Sequence, residues 1–418
     1  MRYFRLNMGS FLIKGKEYGA IYDTLTGNII RITKHNYEVL ESCENNNDID
    51  ELNKEDFLFL EKLYELNVGM FYSKPIYIEK LSIYDDGVKE RFSKYSYIIK
   101  NLFIEFTNRC NLECKFCNED DEVVFRKTGC KKWKLKGEII DIDKILDIIS
   151  QAKKLGCESL YLIGGEPFMF INKIKKITNY SHSIGINNIT IFTNGTILDD
   201  NILAFLKKNN VNLIVQILGS SDNVYKAITK KEKLASKIYD NVISLAKNNI
   251  NYSLSILINS FNENEIEEII KKYNSVIDRT KIRIDYIYPN KSNKYHSEKY
   301  KELMYSKEKT LSKISLIQFL TNRYKHNCYG NQIAITGDGE VIPCIMSRKL
   351  VLGNIRENKL VNILRNSNYK ELYKLTKDKI DKCKNCELRY GCFDCRALES
   401  NADNNLLGIK YCKYADNY

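Results

Sequence analysis

The chain has 418 residues, enough for two or three domains; it is 44% hydrophobic, 28% charged and carries a formal net charge of +12. Those proportions are ordinary for a soluble globular protein. No apolar run reaches the length of a membrane span, and Met1-Arg2-Tyr3-Phe4-Arg5 leads into no apolar signal core, so the expected address is cytoplasmic with no membrane partner. Residues 1–80 sum to −3, which leaves +15 on the rest, yet no compact basic cluster interleaved with aromatics stands out, so nucleic acid is not an expected partner.

The first region, 1–85, opens with short alternating segments at Phe11-Leu12-Ile13, Gly19-Ala20-Ile21-Tyr22 and Asn28-Ile29-Ile30-Arg31-Ile32. Thr26-Gly27-Asn28 separates the last two as a hairpin turn does. Helical patterns follow over Asn36–Cys43 and through Phe57, Leu60, Leu63, Tyr64 and Val68. Three strands followed by helices read as a small winged-helix-like module.

The second region, 86–300, changes pattern. Apolar runs typical of buried strands stand at 102–104, 160–163, 189–192, 213–215, 254–258 and 282–284. Helical stretches lie between them at 142–155, 171–181, 202–208, 235–247 and 263–273. Alternating strand and helix predicts an α/β fold with a parallel sheet and outer helices; six units fall short of the eight that close a barrel, so a partial (β/α)6 barrel is expected.

The third region, 301–418, is less regular and rich in cysteine, which predicts a loop-rich domain held together by metal. The chain has 13 Cys, and grouped cysteines in a chain without an export signal bind metal or do redox chemistry more often than they pair. Cys110, Cys114 and Cys117 form one group; Cys328, Cys344, Cys383, Cys386, Cys392, Cys395 and Cys412 form another. Cys43 and Cys157 read as core thiols, while Cys130 sits in a basic loop that favours its thiolate. His35, His182, His296 and His326 are scattered and suggest no cluster.

Cys110-Asn111-Leu112-Glu113-Cys114-Lys115-Phe116-Cys117 directly follows the first barrel strand. Three thiolates in one loop can grip three irons of a [4Fe–4S] cube and leave the fourth open to a small molecule. Zinc is the alternative, but it wants a fourth ligand nearby and usually C-x2-C pairs. The spacing resembles the signature of the radical S-adenosylmethionine superfamily. Gly164-Gly165-Glu166-Pro167 at the end of the second strand and Thr193-Asn194-Gly195 at the end of the third resemble that family too. The resemblance implies that Phe116, Gly164, Gly165, Glu166, Pro167 and Asn194 contact S-adenosylmethionine, Phe116 near the adenine and Glu166 at the methionine amine. The reduced cluster would then cleave the cofactor to a 5′-deoxyadenosyl radical. Two departures stand out. Gln216-Ile217-Leu218-Gly219-Ser220 replaces the Ser-x-Asp-Gly found in many relatives, and a frequent Arg further on is missing, for which Lys226 or Lys230 are the candidate substitutes at the cofactor carboxylate.

The seven later cysteines, with Gly339 five residues before Cys344, resemble the SPASM extension of peptide-modifying radical enzymes; the Cys392–Cys395 gap is one residue shorter than is common. By that resemblance Cys328, Cys344 and Cys395 hold one auxiliary [4Fe–4S] cluster with an open iron, and Cys383, Cys386, Cys392 and Cys412 fully ligate another. Three clusters are expected in all, with two zinc knuckles as the alternative for the second group. The N-terminal module is similar to the precursor-recognition domain of ribosomal-peptide maturases, where a leader adds as an extra strand. The reading is therefore a maturase that installs a thioether or carbon–carbon cross-link in a precursor peptide and takes electrons from a donor such as flavodoxin or ferredoxin. The competing readings are a sulfatase-activator-like enzyme that oxidises Cys or Ser, against which Ile345 replaces the expected Asp, and a non-catalytic cluster-bearing protein.

Overall fold

The computed structural model describes residues 2–81, 97–117, 140–287, 295–301, 313–392 and 395–412. Cys130 lies outside these residues.

The N-terminal strands are β1 (Tyr3–Leu6), β2 (Ser10–Lys14), β3 (Tyr18–Asp23), β4 (Asn28–Thr33) and β5 (Gly69–Tyr72). β2, β3 and β4 form an antiparallel sheet, and the β3–β4 hairpin turns at Gly27, whose φ is +83°. Asp23 fixes that turn by accepting from Thr26 Oγ1 and Leu25 N. Helices Lys34–Glu44 and Lys54–Glu65 follow, capped by Thr33 and Asn53, whose side chains accept from the amides of Asn36 and Asp56. β1 and β5, which have no counterpart among the expected strands, pair antiparallel beside them.

Alternation along β2–β4 divides the apolar side chains between two faces. Leu12, Ile21, Ile30 and Ile32 pack with the helices. Phe11, Ile13, Ala20 and Tyr22 pack with Phe319, Leu320, Leu388 and Tyr390 of the C-terminal region. The sheet is thus a layer between its own helices and the cysteine-rich segment, and its central strand β3 is buried from residue 19 on.

Six parallel strands follow: β6 (Asn101–Thr107), β7 (Ser159–Gly164), β8 (Asn188–Thr193), β9 (Asn212–Ile217), β10 (Tyr252–Ile258) and β11 (Ile282–Tyr286). They pair in chain order, with helices at 142–154, 171–183, 200–208, 234–247 and 266–274 between them. A further helix, Asp222–Thr229, stands after β9. Leu160, Leu162, Ile189, Ile191, Leu213, Val215, Leu254 and Ile256 are buried under this helical layer. Runs apolar on both faces are what a sheet with covered faces requires.

The sheet does not close. Its β6 edge continues into β12 (Gln332–Ile335), parallel to β6, and then into antiparallel β13 (Glu340–Ile342) and β14 (Gly353–Asn354). The half-barrel and the cysteine-rich region therefore share one nine-stranded sheet. Cys43 and Cys157 are core thiols, 2% and 1% exposed, and burial pushes them up to about 12 and about 11. Among the described residues no helix is long and apolar enough to cross a membrane.

Candidate functional site

The loop after β6 carries Cys110, Cys114 and Cys117 at the C-terminal mouth of the half-barrel, where parallel-strand sites lie. A turn in which the Cys117 amide donates to Cys114 O at 2.9 Å brings the last two cysteines together. Cys114 and Cys117 are buried, and Cys110 is half-buried. Phe116 and Leu112, 1% and 3% exposed, anchor the loop in the core.

The end of β7 is stitched to this loop. Gly165 N donates to Thr107 O at 2.7 Å and Glu166 N to Arg109 O at 2.9 Å. A Cβ on Gly164 would lie 2.0 Å from Thr107 O, and one on Gly165 would lie 2.1 Å from Arg109 O. Gly164 also has a φ of +134°. A close approach that demands glycine here is made by the chain's own cysteine loop.

Glu166 is fully buried and holds the end of β8. Its Oε1 accepts from Thr193 Oγ1 at 2.9 Å and Phe168 N at 3.1 Å, and its Oε2 accepts from Asn194 N at 2.8 Å. Burial raises its pKa to about 7 against the pull of these three donors. Pro167, which lacks an N–H, begins the short helix that Glu166 caps. Asn194 completes the link: its Nδ2 donates to Asn111 Oδ1 at 2.9 Å and reaches Cys110 Sγ at 3.7 Å.

A cleft of about 280 Å³ opens between the strand ends, lined by Gly164, Gly165, Phe192, Thr193, Asn194, Ile214 and Gln216. Three of the expected cofactor contacts thus line one cavity beside Cys110, while Glu166 and Phe116 are buried. Gln216, absent from the expected set, is 7% exposed, and among the described residues its Nε2 has no hydrogen-bond partner. Its sequence signals were a polar residue at the end of an apolar strand and its place at the start of the stretch that replaces Ser-x-Asp-Gly. Lys226 is not the substitute cation considered above: its side chain is 60% exposed and pairs with Glu232 at 2.6 Å. Lys230 ends the same helix, exposed and left-handed.

Four cysteines of the second group line two cavities, and Cys383, Cys386 and Cys412 line neither. The larger, about 1230 Å³, is lined by Cys328, Cys344 and Cys395, and Tyr329 feels all three thiols. The smaller, about 300 Å³, is lined by Cys392, whose thiol acts on that of Cys383. Among the described residues no three His, Cys, Asp or Glu side chains converge on a point that could hold a single metal ion. His326 stands in the wall of both cavities, stacked on Tyr329 at 4.7 Å, with Nδ1 accepting the amides of Cys328 and Tyr329 at 3.0 Å. Cys386 lies in a turn clamped by the N-terminal module. Lys16 N donates to Asn385 O at 2.9 Å, Tyr22 Oη to Glu387 O at 2.9 Å, and Arg31 pairs with the buried Glu387 at 2.6 Å.

The profile of the radical SAM superfamily matches residues 104–273, and that of the SPASM iron–sulfur cluster-binding domain matches residues 328–387. The GTP 3′,8-cyclase of Clostridium perfringens (strain SM101 / Type A) is 23% identical over 308 residues, which cover 66% of this chain and 92% of that protein. Among solved structures, Streptococcus suis SuiB bound to precursor peptide SuiA is similar in fold, with a TM-score of 0.56 and 14% identity over 99% of this chain and all of that one. Native anSMEcpe with bound AdoMet is similar with a TM-score of 0.54 and 18% identity, over 76% of this chain and 94% of that one. The chain is a radical SAM enzyme with an SPASM extension, built on an open six-stranded half-barrel.

Proposed function

We propose that this enzyme modifies a ribosomally made precursor peptide, installing a thioether or carbon–carbon cross-link, with three [4Fe–4S] clusters and S-adenosylmethionine. The observation that carries the reading is the cysteine loop stitched to the Gly164–Glu166 strand end beside a cleft with one buried, unsatisfied donor. Cys110, Cys114 and Cys117 hold the first cluster. That three-thiol donor set suits a cube with one open iron better than a four-coordinate zinc. The bound cofactor supplies a carbon radical able to abstract hydrogen from an unactivated carbon.

The chain's own residues position that event and exclude water from it. Gly164, Gly165 and Asn194 wall the cofactor cleft. Glu166 and Pro167 fix that wall from behind, and Phe116 anchors the loop. Gln216 takes the polar contact that the missing motif leaves open, since a buried amide donor without an acceptor is costly until a ligand supplies one. Cys328, Cys344 and Cys395 hold one auxiliary cluster, and Cys383, Cys386, Cys392 and Cys412 hold the other. Removing two hydrogens to form a cross-link leaves an electron beyond the one the cofactor radical consumes, and an auxiliary cluster is suited to accept it. A one-electron carrier such as flavodoxin or ferredoxin resets the first cluster.

The domain at 1–85 serves as the leader-recognition module, 86–300 as the radical barrel and 301–418 as the auxiliary-cluster domain. Among the described residues β2 is an edge strand paired only with β3, and a groove of about 1130 Å³ runs past Phe11, Leu12 and Ile13 to Tyr37 and Tyr77. An extended leader adds along that edge, gaining backbone hydrogen bonds and apolar contacts. Oxidation of a Cys or Ser on another protein fits less well, because buried Ile345 follows Cys344 where that chemistry would want a carboxylate.

The test is iron and sulfide content after anaerobic purification. Three cubes give about 12 Fe per chain, falling to about 8 in Cys110→Ala/Cys114→Ala/Cys117→Ala. Stoichiometric zinc with little iron, or no drop in the variant, would overturn the reading. With iron in place, mass spectrometry of candidate precursors incubated with enzyme, reductant and cofactor should show the loss of two hydrogens.

A further inference from the structure

The two cysteine-lined cavities of the C-terminal region share a wall made by Asn322, His326, Asn327 and Arg396. Arg396 alone among these carries a permanent charge. It is 2% exposed, follows Cys395 directly and begins the helix Arg396–Asp403. Its Nη1 donates to Leu406 O at 3.1 Å and Gly408 O at 2.7 Å. One turn later Glu399, also 2% exposed, stands 3.9 Å from Arg396 Nη2 and accepts from Tyr411 N at 3.0 Å, one residue before Cys412. A buried cation and a buried anion thus sit between the segments that carry Cys395, Cys392 and Cys412.

We infer that the Arg396–Glu399 pair sets the reduction potentials of both auxiliary clusters, Arg396 raising them and Glu399 lowering them. This rests on the proposed reading that Cys328, Cys344 and Cys395 hold one cluster and Cys383, Cys386, Cys392 and Cys412 the other. A reduced cluster carries one more negative charge than an oxidised one. A fixed cation nearby therefore favours the reduced form, and a fixed anion disfavours it. In a buried site the effect is weakly screened. Arg396 is a positioning residue that acts through the clusters it adjoins: it follows Cys395 directly, lines the cavity of Cys328, Cys344 and Cys395, and borders Cys392 in the neighbouring cavity.

The experiment is a potentiometric titration of the full-length, anaerobically purified enzyme, followed by electron paramagnetic resonance, with iron counted on every sample. Arg396→Gln should shift the auxiliary-cluster potentials down, and Glu399→Gln should shift them up. Arg396→Lys keeps the charge and should stay near wild type. If Arg396→Gln loses its iron, the upward shift in Glu399→Gln and the null effect of Arg396→Lys still decide the matter. Unchanged potentials, or shifts of the same sign in the two Gln variants at wild-type iron content, would overturn the inference while leaving the clusters in place. Wild-type protein without about 12 Fe per chain would instead overturn the cluster reading on which it rests.

Discussion

Replacing Gly165 with Ala should empty the first cluster site without unfolding the chain. The new Cβ would sit 2.1 Å from Arg109 O and 2.6 Å from Arg109 C, both backbone atoms of the cysteine loop. The loop must retreat by more than about 1 Å to reach ordinary contact distance. That movement strains or breaks the bonds from Gly165 N to Thr107 O and from Glu166 N to Arg109 O. Overpacking costs about 1–3 kcal/mol, and each lost backbone bond costs about 1 kcal/mol more, so the loop is destabilised by about 3–5 kcal/mol. At about 1.4 kcal/mol per decade, loop opening becomes roughly a hundredfold or more frequent. Hydrogen exchange at the Gly165 and Glu166 amides reads this directly, and as-purified iron should fall by about four per chain. Gly156→Ala is the control. It places Ala at a left-handed position, φ +90°, where the nearest non-neighbouring atom is the side chain of Ile98 at 3.2 Å. It should cost about 1–2 kcal/mol and no iron. Full iron and wild-type exchange in Gly165→Ala would refute the stitching argument.

Three further outcomes follow from buried charges. Glu166 has its folded pKa raised by burial from 4.5 to about 7. The native state therefore keeps a proton that the unfolded chain has lost, so this group's stability is fully present below pH 4.5 and is lost as pH rises through about 7, by about 3 kcal/mol. The unfolding midpoint of wild type relative to Glu166→Gln should fall across that window; a pH-independent difference would sink the assignment. Arg31→Ala leaves Glu387, whose side chain is fully buried, without its cation. Because Arg31 is itself 32% exposed, the cost is put at about 1–3 kcal/mol, below the full buried-pair figure. Faster proteolysis of the N-terminal module and partial loss of auxiliary iron should result, with four irons still lost on adding the Cys110/Cys114/Cys117 substitutions. Glu105→Gln removes a buried carboxylate joined by two hydrogen bonds to the half-buried Arg348, between β6 and the β13 side of the sheet. That should cost about 3–5 kcal/mol. Adding Arg348→Met should recover part of the lost melting temperature, and a double variant no better than the single would refute the pairing.

The six barrel strands were legible because each is an apolar run buried on both faces, a pattern that needs no tertiary knowledge. The three wing strands were legible from alternation and a Gly-containing turn. β12 was not, because Gln332-Ile333-Ala334-Ile335 is a short run whose meaning depends on β6, more than 200 residues earlier. β1 and β5 are four residues each and find each other across two helices, which no local pattern records. At the site, cysteine spacing pointed to the loop, and the glycines pointed to a close approach, which in the fold includes that of the cysteine loop itself. Arg396 and Glu399 escaped notice, and Gln216 and His326 were named without a role, for a common reason. A single polar residue acquires its meaning from burial, and burial is a property of the fold.

The same long-range stitching bears on how a bound peptide and the distant cysteines are connected. β2 spans Ser10–Lys14 and borders the groove proposed for the leader. Just beyond its exit, Lys16 N is bonded to Asn385 O, and Arg389 bridges Lys14 O to Cys386 O at 2.8 Å each. The strand that would receive a leader is therefore the strand whose end fixes the Cys383–Cys386 turn. On the opposite side that turn is held through Tyr22 and Arg31 to Glu387. Three backbone carbonyls and one buried carboxylate tie the wing to a cysteine-bearing turn. Such a wing cannot swing away as an independent domain without exposing Glu387 and the aromatic contacts of Phe11 and Tyr22 with Phe319. The physical reason to keep it docked is the buried carboxylate: undocking takes Arg31 away from Glu387, and that cost adds to the buried surface in holding the N-terminal module to the cysteine-rich region.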